Sequence, residues 1–265
     1  MQPCFCGRQS CPLLFRTMTQ VNKLLLLLLL SFCCLALRCA SGNKLESGNV
    51  NQQEIYQAYF IKRSQESLEI KATIRLKDRY GDTLALTPPS HVTYNNNEMM
   101  RRDYFMNGAN YVVDEKTFST SNKFVFTDTK GKAYTNSISL EPLEFANISS
   151  VSLGKAAQAV LPVTRINKEE DVKVTLLIKD SKGTDFYSEV RNGRGVVGFR
   201  SSVYFDEAKK AIIIEADFLK EIAEGSATIS LVTRKEKEAE QATGRGGDLS
   251  IEYAANPVNV KVASK

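Results

Sequence analysis

The chain has 265 residues with a formal charge of +5, one histidine, six cysteines and no tryptophan, and the distribution of these residues excludes more than their totals do. Residues 1–42 contain Arg8, Arg16, Lys23 and Arg38 and no acid, so the 31 basic and 30 acidic residues that remain leave the body at +1, with no electrostatic footprint for nucleic-acid binding. All six cysteines (Cys4, Cys6, Cys11, Cys33, Cys34 and Cys39) lie before residue 40 and His91 is the lone histidine, which leaves the body no disulfide, thiolate zinc site, cysteine nucleophile or multi-histidine metal site; no cofactor is expected.

In chain order, the first instruction is the stretch Val21–Asn43. Asn22-Lys23 precedes seven leucines, Leu24–Leu30, and small residues follow at Ala40-Ser41-Gly42. This is the n-, h- and c-region order of a secretory signal. The apolar run from Leu24 to Leu37 is about 14 residues, short of the roughly 20 a membrane-spanning helix needs, and Arg38 closes it. Met18-Thr19-Gln20-Val21-Asn22-Lys23 makes a short n-region, so Met18 is the expected start of translation. Two processing routes stay open. Cleavage after Gly42 releases a soluble chain beginning at Asn43. Lipidation instead falls on one of Cys33, Cys34 and Cys39, with Cys39 first because it ends the apolar run and precedes a polar stretch, although Arg38 stands where a small residue is usual.

Residues 43–54 read as a polar tether. Beyond them the dominant signal is strand. Ile55–Lys62 is rich in Tyr, Phe and Ile; Leu68, Ile70, Ala72, Ile74 and Leu76 then alternate with polar residues, which puts one face in a core and the other in water. Further strands are predicted at His91–Tyr94, Tyr111–Val113, Lys123–Thr127, Ala133–Leu140, Val172–Lys179, Val196–Phe205, Ala211–Glu215, Ala227–Arg234, Leu249–Tyr253 and Val258–Val262. Asp217 is placed to cap a short helix whose Phe218, Leu219, Ile222 and Ala223 share a face, ended by Gly225. The segment Ile70–Asp78 matches Val172–Asp180 at an offset of 102 residues. An offset of that size fits two units of immunoglobulin-like size. The expected fold is therefore all-β: two tandem Ig-like (fibronectin III-like) antiparallel β-sandwiches, residues 55–146 and 147–265.

Three Asp-x-x-Gly sequences begin at Asp78, Asp128 and Asp180. Calcium is the sharp reading, with Asp82 and Asp185 as further carboxylates, but the loops supply too few oxygens and carry Lys or Arg. Type I turns, with Asp first and Gly fourth, are expected instead. Arg191-Asn192-Gly193-Arg194-Gly195, with Arg200, reads as a hairpin tip before a strand and lacks the helix that a phosphate loop requires. Met99–Met106 mixes methionine, aromatic and charged residues, a composition of protein-binding surfaces, with core plus surface charge as the default. The run Arg234–Gly247 reads as a long solvated loop, with continued strand at its start as the alternative. Asn147-Ile148-Ser149 is a glycosylation sequon. His91 is expected to be structural, and no pair of carboxylates is singled out for catalysis.

A leader ending near Cys39 followed by a tandem β-rich body resembles the uncharacterised cell-envelope lipoproteins of Bacteroidota, many of which place Ig-like domains behind a lipidated cysteine. The resemblance covers the whole chain in architecture and carries no catalytic residue over. It implies an envelope location, with the membrane met through an N-terminal lipid, and a binding or assembly role toward protein or glycan through loops or an edge strand. Two rivals remain: an extracytoplasmic hydrolase using clustered carboxylates or His91, and a structural spacer.

Overall fold

Period-two alternation governs the body, and strands form where it is strongest. A computed structural model describes residues 45–264 apart from 105–107, 147, 149–150, 167 and 194–200. The leader, Met18 and Cys39 therefore lie outside the described residues. So do Asn147 and Ser149 of the sequon, Phe105 and Met106, and the basic tip residues Arg194, Gly195 and Arg200. Among the described residues no helix is long and apolar enough to cross a membrane.

The N-terminal half is built on a hairpin of β1 (Ile55–Arg63) and β2 (Leu68–Leu76), paired from Ile55 opposite Leu76 to Arg63 opposite Leu68. Ile55, Tyr59, Ile61, Ile70, Ala72 and Ile74 all point into the core. The sheet continues through β6 (Gly108–Val112) to an edge strand, β5 (Met100–Tyr104). Packed against it is a four-stranded sheet in the order β4 (Asn97–Glu98), β3 (His91–Tyr94), β7 (Ser121–Thr127) and β8 (Ala133–Ser139). The layers meet through aromatic rings: Tyr59 stacks on Phe124 with centroids 4.7 Å apart, and Tyr94 tilts against Phe124 at 5.1 Å. Such pairs add to the burial of their area.

The C-terminal half is a second pair of layers. One contains β12 (Asp185–Glu189), β11 (Val172–Lys179), β16 (Gly225–Glu238) and β18 (Val258–Ala263), with β9 (Val151–Gly154) parallel to β18. The other runs β10 (Ala159–Pro162), β15 (Ala211–Ile214), β14 (Val203–Asp206), β13 (Arg191–Asn192). Three core strands sharing one layer, with a short first strand parallel to the last, follow the immunoglobulin pattern. The helix α1 (Ala216–Lys220) joins β15 to β16 and closes the core with Leu219, followed by the equally buried Ile222. Its cap differs from the expected one. Glu215 occupies the N-cap but its carboxylate accepts from the Tyr204 hydroxyl at 3.1 Å instead of capping the helix, and Asp217 sits in the first turn, paired with Lys220 at 2.7 Å.

The two halves meet in one sheet. β17 (Gly247–Ala254) runs parallel to β1, from Gln57 beside Gly247 to Arg63 beside Tyr253, and antiparallel to β16. The result, among the described residues, is a ten-stranded sheet whose main path is β12-β11-β16-β17-β1-β2-β6-β5. Hydrogen bonding thus continues across the expected boundary at 146/147, and the division into 55–146 and 147–265 stands as a proposal about core packing. Three of the strand pairings are parallel, β1–β17, β18–β9 and β13–β14, where antiparallel sheets were expected.

The run after β16 also departs from the solvated loop expected of it. The strand continues to Glu238, and the turn is then pinned: Gln241 N–H donates to Asn136 Oδ1 at 3.0 Å, Asn136 Nδ2 to Gln241 O at 2.6 Å and Thr135 N–H to Gln241 Oε1 at 2.9 Å. Leu45–Glu54, read as a tether, is likewise tied down. Ser47 N–H donates to Ala85 O and Ala85 N–H to Leu45 O, both at 2.8 Å. Gln52 Nε2 donates to Ser47 O at 2.7 Å. Polar side chains here bond the local backbone, so a polar run need not be a loose one.

The strands behind the 102-residue offset, β2 and β11, occupy different settings. β2 lies between β1 and β6, whereas β11 lies between β12 and β16. The match reflects what any half-buried strand ending in an Asp turn must look like. Those turns are as expected. Asp128 and Asp180 each accept two backbone N–H bonds on Oδ1, and Gly131 (φ 77°) and Gly183 (φ 80°) take the left-handed position.

Two measurements test this account. A Cβ at Gly247 would lie 2.3 Å from Gln57 O, at the start of the β1–β17 ladder, so Gly247→Ala is expected to destabilise the protein by about 1–3 kcal/mol in chemical denaturation. Desolvation opposes ionisation of Asp180, but bonds from the N–H groups of Thr184, Ala223 and Lys182 and the nearby Lys182 charge outweigh it and hold the carboxyl below its usual range. A depressed carboxyl stabilises the fold above the unfolded value of about 4 and loses that effect as pH falls through the folded value. Asp180→Ala is therefore expected to melt lower at pH 7 by thermal unfolding, with the gap closing as pH falls below the usual carboxylate range.

Candidate functional site

Two stretches that are distant in sequence, the Asp78 turn and the charged run Arg234–Gly247, converge at one end of the shared sheet. Between them lies a cleft of 590 Å³ lined by Tyr56, Asp78, Arg79, Glu236–Ala239 and Arg245–Leu249. Each wall has a local cause. Lys77 adopts φ 75°, Asp78 Oδ1 accepts Tyr80 N–H at 2.8 Å, and Arg75 Nη1 donates to Gly81 O at 3.0 Å. This fixes the turn that carries Arg79 over Tyr56 and leaves Tyr80 87% exposed at its tip. The other wall is the β16–β17 hairpin, in which Glu238 faces Asp248 and Glu236 faces Ser250.

Glu238 directly opposite Asp248 is a like-charge pair, unfavourable in a sheet. Asp248 Oδ1 is shut off from solvent and receives no well-aligned hydrogen bond from a described residue. The Tyr56 hydroxyl lies beside this carboxylate. Burial first, then the charge and hydrogen bonding of Asp248, raise its pKa, and Arg79 works in the opposite direction. The Arg79 guanidinium is held protonated more firmly still by the Tyr56 hydroxyl and by the charge of Asp248. The other basic groups are neutralised locally: Arg245 Nε meets Glu54 at 2.9 Å, Lys237 pairs with Glu240, and Arg234 pairs with Glu236. The cleft therefore offers carboxylate acceptors, one cationic donor and a phenol, with an exposed aromatic ring at its rim.

The remaining candidates lie elsewhere. His91 begins β3, its Nδ1 2.9 Å from Pro89 O and its Nε2 3.5 Å from Thr127 Oγ1. These partners hold a strand end and form no nucleophile–base pair. Among the described residues no group of three or more His, Cys, Asp or Glu is placed to hold a metal ion. Met99 is buried and Met100 is 57% exposed, while Arg101 pairs with Asp103 and Arg102 with Asp114. Arg191 and Asn192 form β13, and Gly193 (φ 74°) turns the chain beyond them. Tyr56, Arg79 and Asp248 carry no sequence signal of their own. The two flanking motifs were visible separately, and only the fold joins them.

No protein-family model matches the chain, and no curated protein sequence matches it. Among solved structures, that of murine CEACAM1b is similar over 79% of this chain and 100% of its own, at 7% identity and a TM-score of 0.22. A Bacteroides ovatus protein, SGBP-B of the mixed-linkage glucan utilization locus in complex with a mixed-linkage heptasaccharide, is similar over 78% of this chain and 61% of its own, at 11% identity and a TM-score of 0.19. Both similarities are too remote to assign a ligand to this chain.

The raised Tyr56 pKa gives a pH test. A phenol whose folded pKa is raised stabilises the native state below the unfolded value of about 10 and ceases to as pH climbs through the folded one. The wild-type melting temperature is expected to fall above pH 10, and Tyr56→Phe to fall less over the same range.

Proposed function

We propose that the chain is an exported, non-catalytic binding or assembly module, lipid-anchored through Cys39, and that it meets its ligand at the Tyr56–Asp78–Arg79–Glu238–Asp248 cleft. The observation that carries the reading is the composition of this cleft: the Tyr56 phenol among charged donors and acceptors in an open recess, with the exposed Tyr80 ring next in the chain to Arg79 of its lining. A hydroxyl-rich glycan suits such a surface, because a flat ring covers the apolar face of a sugar while carboxylate and guanidinium groups bond its hydroxyls. Membrane attachment and an envelope location follow from the leader as read from the sequence. The same leader also permits secretion after cleavage before Asn43.

A second reading has its own observation. Asp78, Glu236, Glu238 and Asp248 converge in one cleft, as the hydrolase alternative requires. Their interleaving with Arg79, Lys237 and Arg245 favours recognition, since such a surface both donates and accepts hydrogen bonds along its length.

Screening the mature protein on a glycan array, followed by calorimetry, tests both readings. Wild-type protein is expected to bind a glycan, and Tyr80→Ala and Arg79→Ala each to weaken binding by about tenfold or more. New reducing ends released from the bound glycan would replace the binding module with the hydrolase. Mass spectrometry of the mature N-terminus is expected to show a diacylglyceryl cysteine; an unmodified Asn43 would remove the anchor and leave the cleft unaffected.

A further inference from the structure

One edge of the shared sheet, two strands from β16, is closed by β12, which pairs with β11 alone among the described strands. The ladder fixes which of its backbone groups are used. Val190 N–H donates to Val174 O at 2.8 Å and Asp180 N–H to Thr184 O at 3.0 Å. Antiparallel pairs alternate between bonded and non-bonded, so Phe186 and Ser188 bond toward β11. The N–H and C=O groups of Asp185, Tyr187 and Glu189 are directed away from it.

The side chains of the same three residues stand on the outer face. Tyr187 is 66% exposed and lies beside Leu177; Asp185 lies beside Lys179 and Glu189 beside Thr175. The edge therefore presents outward amides in register with an acidic–aromatic–acidic row. Sheet edges are commonly blunted by charged side chains, proline or a bulge; β12 has no proline or bulge, and its Asp185 and Glu189 oppose an acidic strand while admitting a basic one. A second copy is a poor occupant. Antiparallel pairing of β12 with itself about Tyr187 would set Asp185 against Glu189, like charges directly opposite.

We propose that the outer edge of β12 is a strand-docking site for an extended polypeptide of another protein, with basic residues two positions to either side of an apolar one. Main-chain bonds from Asp185, Tyr187 and Glu189 supply the affinity. The apolar residue covers Tyr187 and Leu177, and the flanking cations meet Glu189 and Asp185. This site is independent of the cleft and stands or falls without it.

The test uses the whole mature chain and a fluorescent peptide centred on Lys-Thr-Ile-Thr-Lys, followed by anisotropy. Saturable binding is expected, weakened at least about tenfold when the peptide amides facing the sheet are N-methylated. Tyr187→Pro removes the outward N–H and leaves the β11 ladder intact, and is expected to abolish binding with an unchanged circular dichroism spectrum. Asp185→Lys with Glu189→Lys is expected to lose the basic peptide and to bind its Glu-Thr-Ile-Thr-Glu counterpart. Absence of binding to wild type, equal binding of the N-methylated peptide, or no exchange of preference on charge reversal would overturn the proposal. A wild-type dimer dissolved by Tyr187→Pro would also overturn it, because the occupant would then be a second copy. If Tyr187→Pro unfolds the protein, the N-methyl comparison on wild type decides.

Discussion

The parallel ladder between β1 and β17 is the constraint on which the rest depends. It brings the first strand of the body against one of the last, closing a contact across nearly 190 residues, as in the bond from Thr243 Oγ1 to Ile55 O. Long-range pairing of this kind costs loop-closure entropy, so it must be supported on both sides. Gln241 and Asn136 clamp the hairpin to β8. At the other end Tyr253 donates to Glu144 at 2.5 Å and meets Phe118 edge-on at 4.9 Å. Removal of the Tyr253 side chain from water, and then its bond to Glu144, push its phenol up to about 12. The strand is thus fixed by main chain along its length and by side chains at its two ends.

The same ladder creates the cleft. Because β16 and β17 stay paired as far as Glu238 and Asp248, the end of their hairpin and the β2 turn line one recess. Glu238 and Asp248 are brought opposite each other at some electrostatic cost. A natural sheet carries such a cost where the surface is used, and the positioning of Arg79 and Tyr56 against Asp248 points the same way.

The shared sheet also has a mechanical consequence. Two sandwiches joined only by a linker would rock about it, whereas sandwiches that share a continuous hydrogen-bonded sheet cannot separate without breaking the β1–β17 register. Loops at the seam and at the β12 edge therefore keep fixed positions on one scaffold, the condition under which loops recognise ligands well.

The sequence alone determined the parts that depend on local periodicity and turn chemistry. Leu68–Leu76 and Val172–Lys179 were legible because their apolar residues alternate with polar ones, Ile55–Arg63 because it is rich in Tyr, Phe and Ile, and the Asp128 and Asp180 turns because Asp and Gly suit them. The short strands Asn97–Glu98, Met100–Tyr104, Asp185–Glu189 and Arg191–Asn192 were not legible. Met100–Tyr104 is exposed throughout, two-residue strands are too short to alternate, and in Asp185–Glu189 the inner face is only half-buried and carries a serine. Only the tertiary structure decided that Gly247–Ala254 would lie beside Ile55–Arg63, that Gln241 would dock on Asn136, and that Asp78–Gly81 and Glu236–Asp248 would form one cleft. Pairing partners are chosen by register and shape across the whole chain, and a strand's own residues record which face is buried but not which neighbour lies beside it.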